Sequence, residues 1–279
     1  MSERTRCHRP TACLIGWIAV LATGIGVPIP ALAHDTWLEA TPRLVRPDDV
    51  VHVGLFLGNH GNEHRDFKIA SKVGSLDEVQ VEVTGPDGRK TDLVPDMVDL
   101  GYAPKEGFWS GRFVPAREGL HCVSHFRQGI RHGAMGFKGG KTYFQASESL
   151  DRPGKPDASG GGLPGPLGHP LELVLESHPV LDCGPGRPIA VRLLFKGKPL
   201  ADQVVSFIPR GATLAEGFDA DHERRTDAEG RCAYTPKEGN LLLVVAHLVK
   251  PEETGEGYDK TAYAATLVID VPQRCPCCE

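Results

Sequence analysis

The chain alternates short apolar runs with turn residues and shows little helical period. Val51, Val53, Leu55 and Leu57 interleave with Val50, His52, Gly54 and Phe56, which predicts a strand buried largely on both faces. Val79, Val81 and Val83 alternate with Gln80, Glu82 and Thr84, the mark of a half-exposed strand. Gly85-Pro86-Asp87-Gly88 then carries turn-forming residues at turn-forming positions. Residues 108–114 and 120–126 read as further strands, divided by Pro115 and Gly119, and 142–146 closes this half. The pattern restarts at 171–175 and continues through 189–195, 204–208, 232–234, 241–249 and 262–271, with turns at 196–199 and 226–230. About seven short strands at this spacing predict a β-sandwich.

Between the halves, residues 149–169 contain Pro153, Pro156, Pro164, Pro166 and the run Ser159-Gly160-Gly161-Gly162. Such a segment reads as a linker, because it offers nothing to bury. The expected fold is all-β. It has two immunoglobulin-like or prealbumin-like β-sandwich domains, residues 34–148 and 170–272, joined by the Gly/Pro-rich linker 149–169.

The first 33 residues stand apart. Arg4, Arg6 and Arg9 precede an apolar run at 14–27, Pro28 and Pro30 break it, and Ala31-Leu32-Ala33 follows. This is the order of a secretory signal peptide. The run is too short and too broken for a membrane span, and no later segment is long and apolar enough for one. A periplasmic or secreted protein without a mature transmembrane segment is expected, beginning at His34.

Composition adds three constraints. The abundance of glycine (33) and proline (23) suits many strands joined by tight turns. The leader carries Arg4, Arg6 and Arg9 against Glu3, so its loss takes the formal charge from −5 to −7. That balance argues against nucleic acid as a partner and is compatible with cations. Six cysteines remain after residue 33: Cys122, Cys183, Cys232, Cys275, Cys277 and Cys278. An oxidising compartment permits disulfides, and Cys183 with Cys232 is one pairing to consider. The tail at 273–279 is cysteine-rich and suits either disulfide pairing or a soft metal.

His34 is the leading chemical candidate. As a first residue it would offer a free amine and ring Nδ1, which close a six-membered chelate on one ion. The amine titrates near ~7.7–8.0 and imidazole near ~6.5, so unprotonated donors exist at neutral pH. Nitrogen donors favour nickel, cobalt, copper or zinc over calcium or magnesium. His60 and His64 lie in a polar loop after a strong strand, where they either complete such a site or are merely solvated. His121 and His125 share one face of a strand but lie ~13 Å apart, too far to hold one ion together. At most one of them, or His132, joins a given site. His247 sits on an apolar strand and is either a ligand or a hydrogen-bonded core residue. His178 and His222 read as surface residues. No nucleophile signature, P-loop or His-Glu-x-x-His stands in the chain.

One order of motifs is recognisable. It runs from Ala33-His34-Asp35-Thr36-Trp37-Leu38, through Leu167-Gly168-His169-Pro170-Leu171-Glu172, then Val191 to Ala201, Thr226 to Gly230 and Val244 to Leu248. This order resembles a family of exported bacterial proteins associated with nickel and cobalt uptake, and the second half also resembles prealbumin-like modules. The resemblance implies capture of a metal ion outside the cytoplasmic membrane, with nickel or cobalt favoured over copper or zinc, and a membrane metal transporter as partner. It carries His34 and His247 as functional residues, and Glu172 more weakly. Two other readings remain: a copper enzyme with a histidine brace at His34, and a structural or interaction protein without metal.

Overall fold

The computed structural model describes residues 34–58, 78–101, 107–153 and 163–273. Residues 1–33, His60, His64 and Cys275 to Cys278 lie outside the described residues. Among the described residues there is no α-helix, and the fold is an all-β sandwich. No helix there is long and apolar enough to cross a membrane.

The first half contains β1 (Asp35–Thr41), β2 (Leu44–Val45), β3 (Val51–Gly58), β4 (Val79–Thr84), β5 (Lys90–Asp92), β6 (Val98–Asp99), β7 (Trp109–Phe113), β8 (Gly119–Arg131) and β9 (Ala134–Ala146). The second contains β10 (Leu171–Leu175), β11 (Ile189–Phe195), β12 (Lys198–Pro199), β13 (Val204–Pro209), β14 (Glu223–Arg225), β15 (Arg231–Tyr234), β16 (Asn240–Lys250) and β17 (Lys260–Val271). The alternating segments fall where their patterns predict. Strand β1 and most of β9 were not legible, because β1 directly follows residues 1–33, read as a leader, and β9 is interrupted by Gly136, Gly139 and Gly140.

Three sheets form. A central sheet runs β14-β13-β16-β17-β9-β8-β4-β5, with β2 added beside β9. A front sheet runs β1-β3-β7-β6, and a back sheet joins β10, β11 and β12, with β15 also on β11. The seam of the central sheet is β9 against β17, which pair in parallel from Ala134↔Lys260 to Thr142↔Val268. Both halves therefore share one sheet. Part of the segment read as linker belongs to the core, since Leu163 and Leu167 pack against it.

Side-chain alternation places the cores. Leu38, Val53, Leu55, Val81, Val123 and Phe144 fill the space between the front sheet and β4, β8 and β9. On the opposite face, Leu242, Val244, Leu267 and Ile269 meet Leu171, Leu173, Val191 and Leu193 of the back sheet. Strands β16 and β17 are thus covered on both sides. This is why 241–249 and 262–271 read as nearly continuous apolar runs. The hairpin from β8 to β9 turns on His132 and Gly133, both at positive φ (51° and 73°), a two-residue connection that suits the strand twist.

Two glycines let the seam be covered so closely. A Cβ on Gly139 would lie 2.5 Å from His169 Nδ1 on one face. A Cβ on Gly140 would lie 2.5 Å from both His125 Nε2 and Thr266 Oγ1 on the other. Gly140→Ala is expected to destabilise by about 1–3 kcal/mol through overpacking. Leu267→Ala, in the shared sheet, should cost about 2–5 kcal/mol. It should also lower the melting temperature read by Trp37 and Trp109 fluorescence in the first half. An unmoved tryptophan transition would mean that the halves unfold independently.

Candidate functional site

Residues facing the front sheet form rows across the centre of the fold. His247, Ala264, Lys138 and Arg127 are register partners in one row, and Val245, Thr266, Gly140 and His125 in the next. The row beyond is Leu243, Val268, Thr142 and Val123. Strand β1 lies against these rows and its surroundings change along its length. Trp37 packs with Leu243, Val245, Val268 and Phe56 in a small apolar cluster. Its indole Nε1 donates to Glu39 Oε1 (2.9 Å), and Glu39 also pairs with Arg210.

Toward its start, β1 meets polar groups. The Thr36 carbonyl accepts from Thr266 Oγ1 (2.8 Å) and lies 3.2 Å from His125 Nε2. Burial drives the His125 imidazole down to about 3, so it stays neutral. One residue earlier, Asp35 Oδ1 lies 2.7 Å from His247 Nε2. Lys138 Nζ donates to the His34 carbonyl at 2.8 Å. The beginning of β1 is thus held by β8, β9, β16 and β17 together.

The Asp35–His247 pair is electrostatically matched. Burial pushes the Asp35 carboxyl up, but the charge and hydrogen bond of His247, helped by Lys138 and His34, bring it below its usual range. The charge of Asp35 raises the His247 imidazole above its ordinary value against the opposing effect of burial. Lys138 is lowered by burial, with Asp35 offsetting part of the effect. The cluster therefore has one carboxylate facing an imidazole and an ammonium.

The other sequence candidates lie elsewhere. His121 is buried, its Nδ1 3.0 Å from the Gly119 carbonyl and its ring stacked on Phe144 at 4.6 Å. It is six residues along β8 from the Arg127 row, ~20 Å away at strand rise. His132 is a turn residue. His178 is buried rather than on the surface, because its Nδ1 accepts from the backbone N–H groups of Val180 (3.2 Å) and Leu181 (3.1 Å) and so closes a turn. Cys183 and Cys232 are separate free thiols and do not bridge; burial pushes them up to about 11 and about 12. Among the described residues, no three His, Cys, Asp or Glu side chains converge to hold a metal ion.

A second polar cluster sits on the back face of the seam. Lys141 and Glu172 are 3% and 2% exposed and pair at 2.5 Å. The Glu172 carboxylate also accepts the backbone N–H groups of Leu167 (2.6 Å), Gly168 (2.9 Å) and His169 (3.2 Å). Burial raises the Glu172 carboxyl, but Lys141 and these donors outweigh it and the net shift is downward. Every visible partner is structural: the carboxylate pins residues 167–169 onto β9, and His169 covers Gly139. The Cys122 thiol near Lys141 is pushed up to about 11 by burial, so it is no thiolate.

Glu172→Gln would leave Lys141 buried without its counter-charge, and the expected loss is about 3–5 kcal/mol. A carboxylate with a depressed folded value stabilises above its unfolded value and loses that contribution as pH falls through the folded one. Urea midpoints measured from neutral pH downward should therefore fall more steeply for the unmodified chain than for Glu172→Gln. Parallel profiles would remove the ion pair from the stability account.

No curated protein matches the chain. Among solved structures, it is similar to a DUF4785 family protein from Legionella pneumophila, with 11% identity over 75% of this chain and 51% of the other, at a TM-score of 0.28. The Yersinia pseudotuberculosis adhesin InvE matches with 13% identity over 84% of this chain and 58% of the other, at 0.21. A Salmonella alpha-2-macroglobulin matches with 12% identity over 86% and 15%, at 0.26. The chain spans little more than half the length of the first two, and at these scores none informs the site. A family model described as a domain of unknown function, DUF4198, matches residues 31–250, and the chain belongs to that family.

Proposed function

We propose that this protein is an exported metal-ion capture component that takes nickel or cobalt at its processed N-terminus and passes it to a membrane transporter. One observation carries the proposal: His247 Nε2 lies 2.7 Å from Asp35 Oδ1, which brings β16 to the residue beside His34 across 212 positions of sequence. Once residues 1–33 are removed, His34 supplies an amine and a ring nitrogen, and His247 a third nitrogen. Two residues then provide three donors. All-nitrogen donation suits nickel, cobalt and copper. Lys138 lies beneath the same end of β1 and opposes a cation, so occupancy depends on how far its burial weakens that charge.

A second reading is a β-sandwich interaction protein without metal. Calorimetric titration of Ni, Co, Cu and Zn into protein beginning at His34 separates the two. Tight binding is expected, weakening in acid because the donors must release protons. One added residue ahead of His34 should abolish it. Tight binding that survives the extension excludes the terminal amine. Absence of binding by all four ions leaves the interaction reading, and copper-dependent oxidation of a polysaccharide would instead indicate the enzyme with a histidine brace.

A further inference from the structure

We propose that the open end of the second half is a binding pocket for a small α-amino acid with an apolar side chain. Strands β13, β15 and β17 end here at Pro209, Tyr234 and Val271, and β16 begins here at Asn240. Between these ends lies a cavity of about 310 Å³, the size of the smaller small-molecule sites. Its wall is apolar. Pro209, Pro236, Leu242 and Val271 line it beside the Tyr234 ring, which is stacked on Phe207 at 5.2 Å. Strand β16 runs from Asn240 at this pocket to His247 and beyond, so ~23 Å of strand separates the pocket from the start of β1. The inference is therefore independent of the capture reading above.

One imidazole is held ready at this cavity. His222 lines it, with Nδ1 closed to solvent and 3.3 Å from Asp219 Oδ1. The Asp219 carboxylate is itself fixed, accepting the N–H groups of Ala215 (2.9 Å), Asp221 (2.9 Å) and His222 (3.0 Å). These donors, Ala215 first, hold its carboxyl down at about 2, so it is ionised. The Asp219 backbone N–H donates to Glu223 Oε2 at 2.8 Å, and Glu223 Oε1 accepts from Ser206 Oγ at 2.8 Å. A neutral imidazole with its proton toward a carboxylate keeps a lone pair on the other nitrogen. The His222 side chain is 24% exposed while Nδ1 is covered, so the Nε2 edge is the open one.

Two charges at the rim are uncommitted. Lys237 and Glu238 both line the cavity, and neither has a hydrogen-bond or ion-pair partner among the described residues. Glu238 acts on the Tyr234 phenol: burial raises it, Arg224 opposes, and Asp221, Asp219 and Glu238 add to the rise. The carboxylates thus make the Tyr234 side of the pocket negative, which suits an ammonium, while Lys237 suits a carboxylate. One cation and one anion beside an apolar wall select a zwitterion over a sugar or a fatty acid. An α-amino acid meets all three demands, with its ammonium toward Glu238 and His222, its carboxylate toward Lys237 and its side chain on the wall.

Calorimetry and amide NMR on the full chain test this, with L-phenylalanine as the probe. Binding is expected, with shifts at Tyr234, Glu238, Asn240 and Val271. N-acetylphenylalanine lacks the ammonium and phenethylamine lacks the carboxylate. Each should bind about 10–100-fold more weakly, the effect of one charged hydrogen bond. Glu238→Gln should weaken phenylalanine by a similar factor and leave N-acetylphenylalanine nearly unchanged. Lys237→Gln should do the same, with phenethylamine as the insensitive probe. Both side chains are exposed and unpaired among the described residues, so neither variant should move the melting temperature. His222→Ala should also weaken phenylalanine, and His222→Gln, which keeps an acceptor, should recover part of the loss. Equal affinity for phenylalanine and its two analogues would mean that only the apolar wall is read, and overturns the inference. So does phenylalanine affinity that Glu238→Gln leaves unmoved. No binding of phenylalanine at millimolar concentration, or shifts confined to residues outside the pocket, overturns it outright.

Discussion

The parallel pairing of β9 with β17 is the constraint on which the rest depends. It joins strands from the two halves into one sheet, and both other sheets pack on the result. Parallel ladders are stable where both faces are covered, and here the front and back sheets cover them. The Gly139–Gly140 step makes that double cover sterically feasible, with an imidazole seated on each face. Larger residues at the two positions would push the layers apart where the halves meet.

The same seam places the polar chemistry. On its back face the Lys141–Glu172 pair anchors the segment that enters the second half. On its front face the register rows pass from apolar at Leu243 to hydrogen-bonding at Thr266 and His125, and then to charged at Lys138 and His247. Strand β1 follows that gradient. Its indole end lies in a dry cluster and its carboxylate end among cations.

Much of the architecture was legible in the sequence. Period-two alternation at 51–57 and 79–84, and the long apolar runs at 241–249 and 262–271, located their strands and indicated which were covered on both sides. Strand β1 was hidden because it directly follows the apolar segment read as a leader. Strand β9 was hidden by glycines that serve as clearance for side chains remote in sequence, a purpose no local pattern reveals. The segment at 163–169 read as linker because its prolines and glycines suppress periodicity. It packs because Glu172 satisfies three of its N–H groups and the two leucines reach the core.

For the candidate site, the sequence by itself determined the all-β class, the distance that forbids His121 and His125 from sharing an ion, and the interest of His34 and His247. Only the tertiary structure decided that His247 meets Asp35, that His121 and His178 are buried core and turn groups, and that Cys183 and Cys232 stay apart. The reason is physical. Alternation specifies the face on which a side chain lies, but the partner across that face is set by strand order and register. Those were settled by a parallel pairing between segments more than a hundred residues apart.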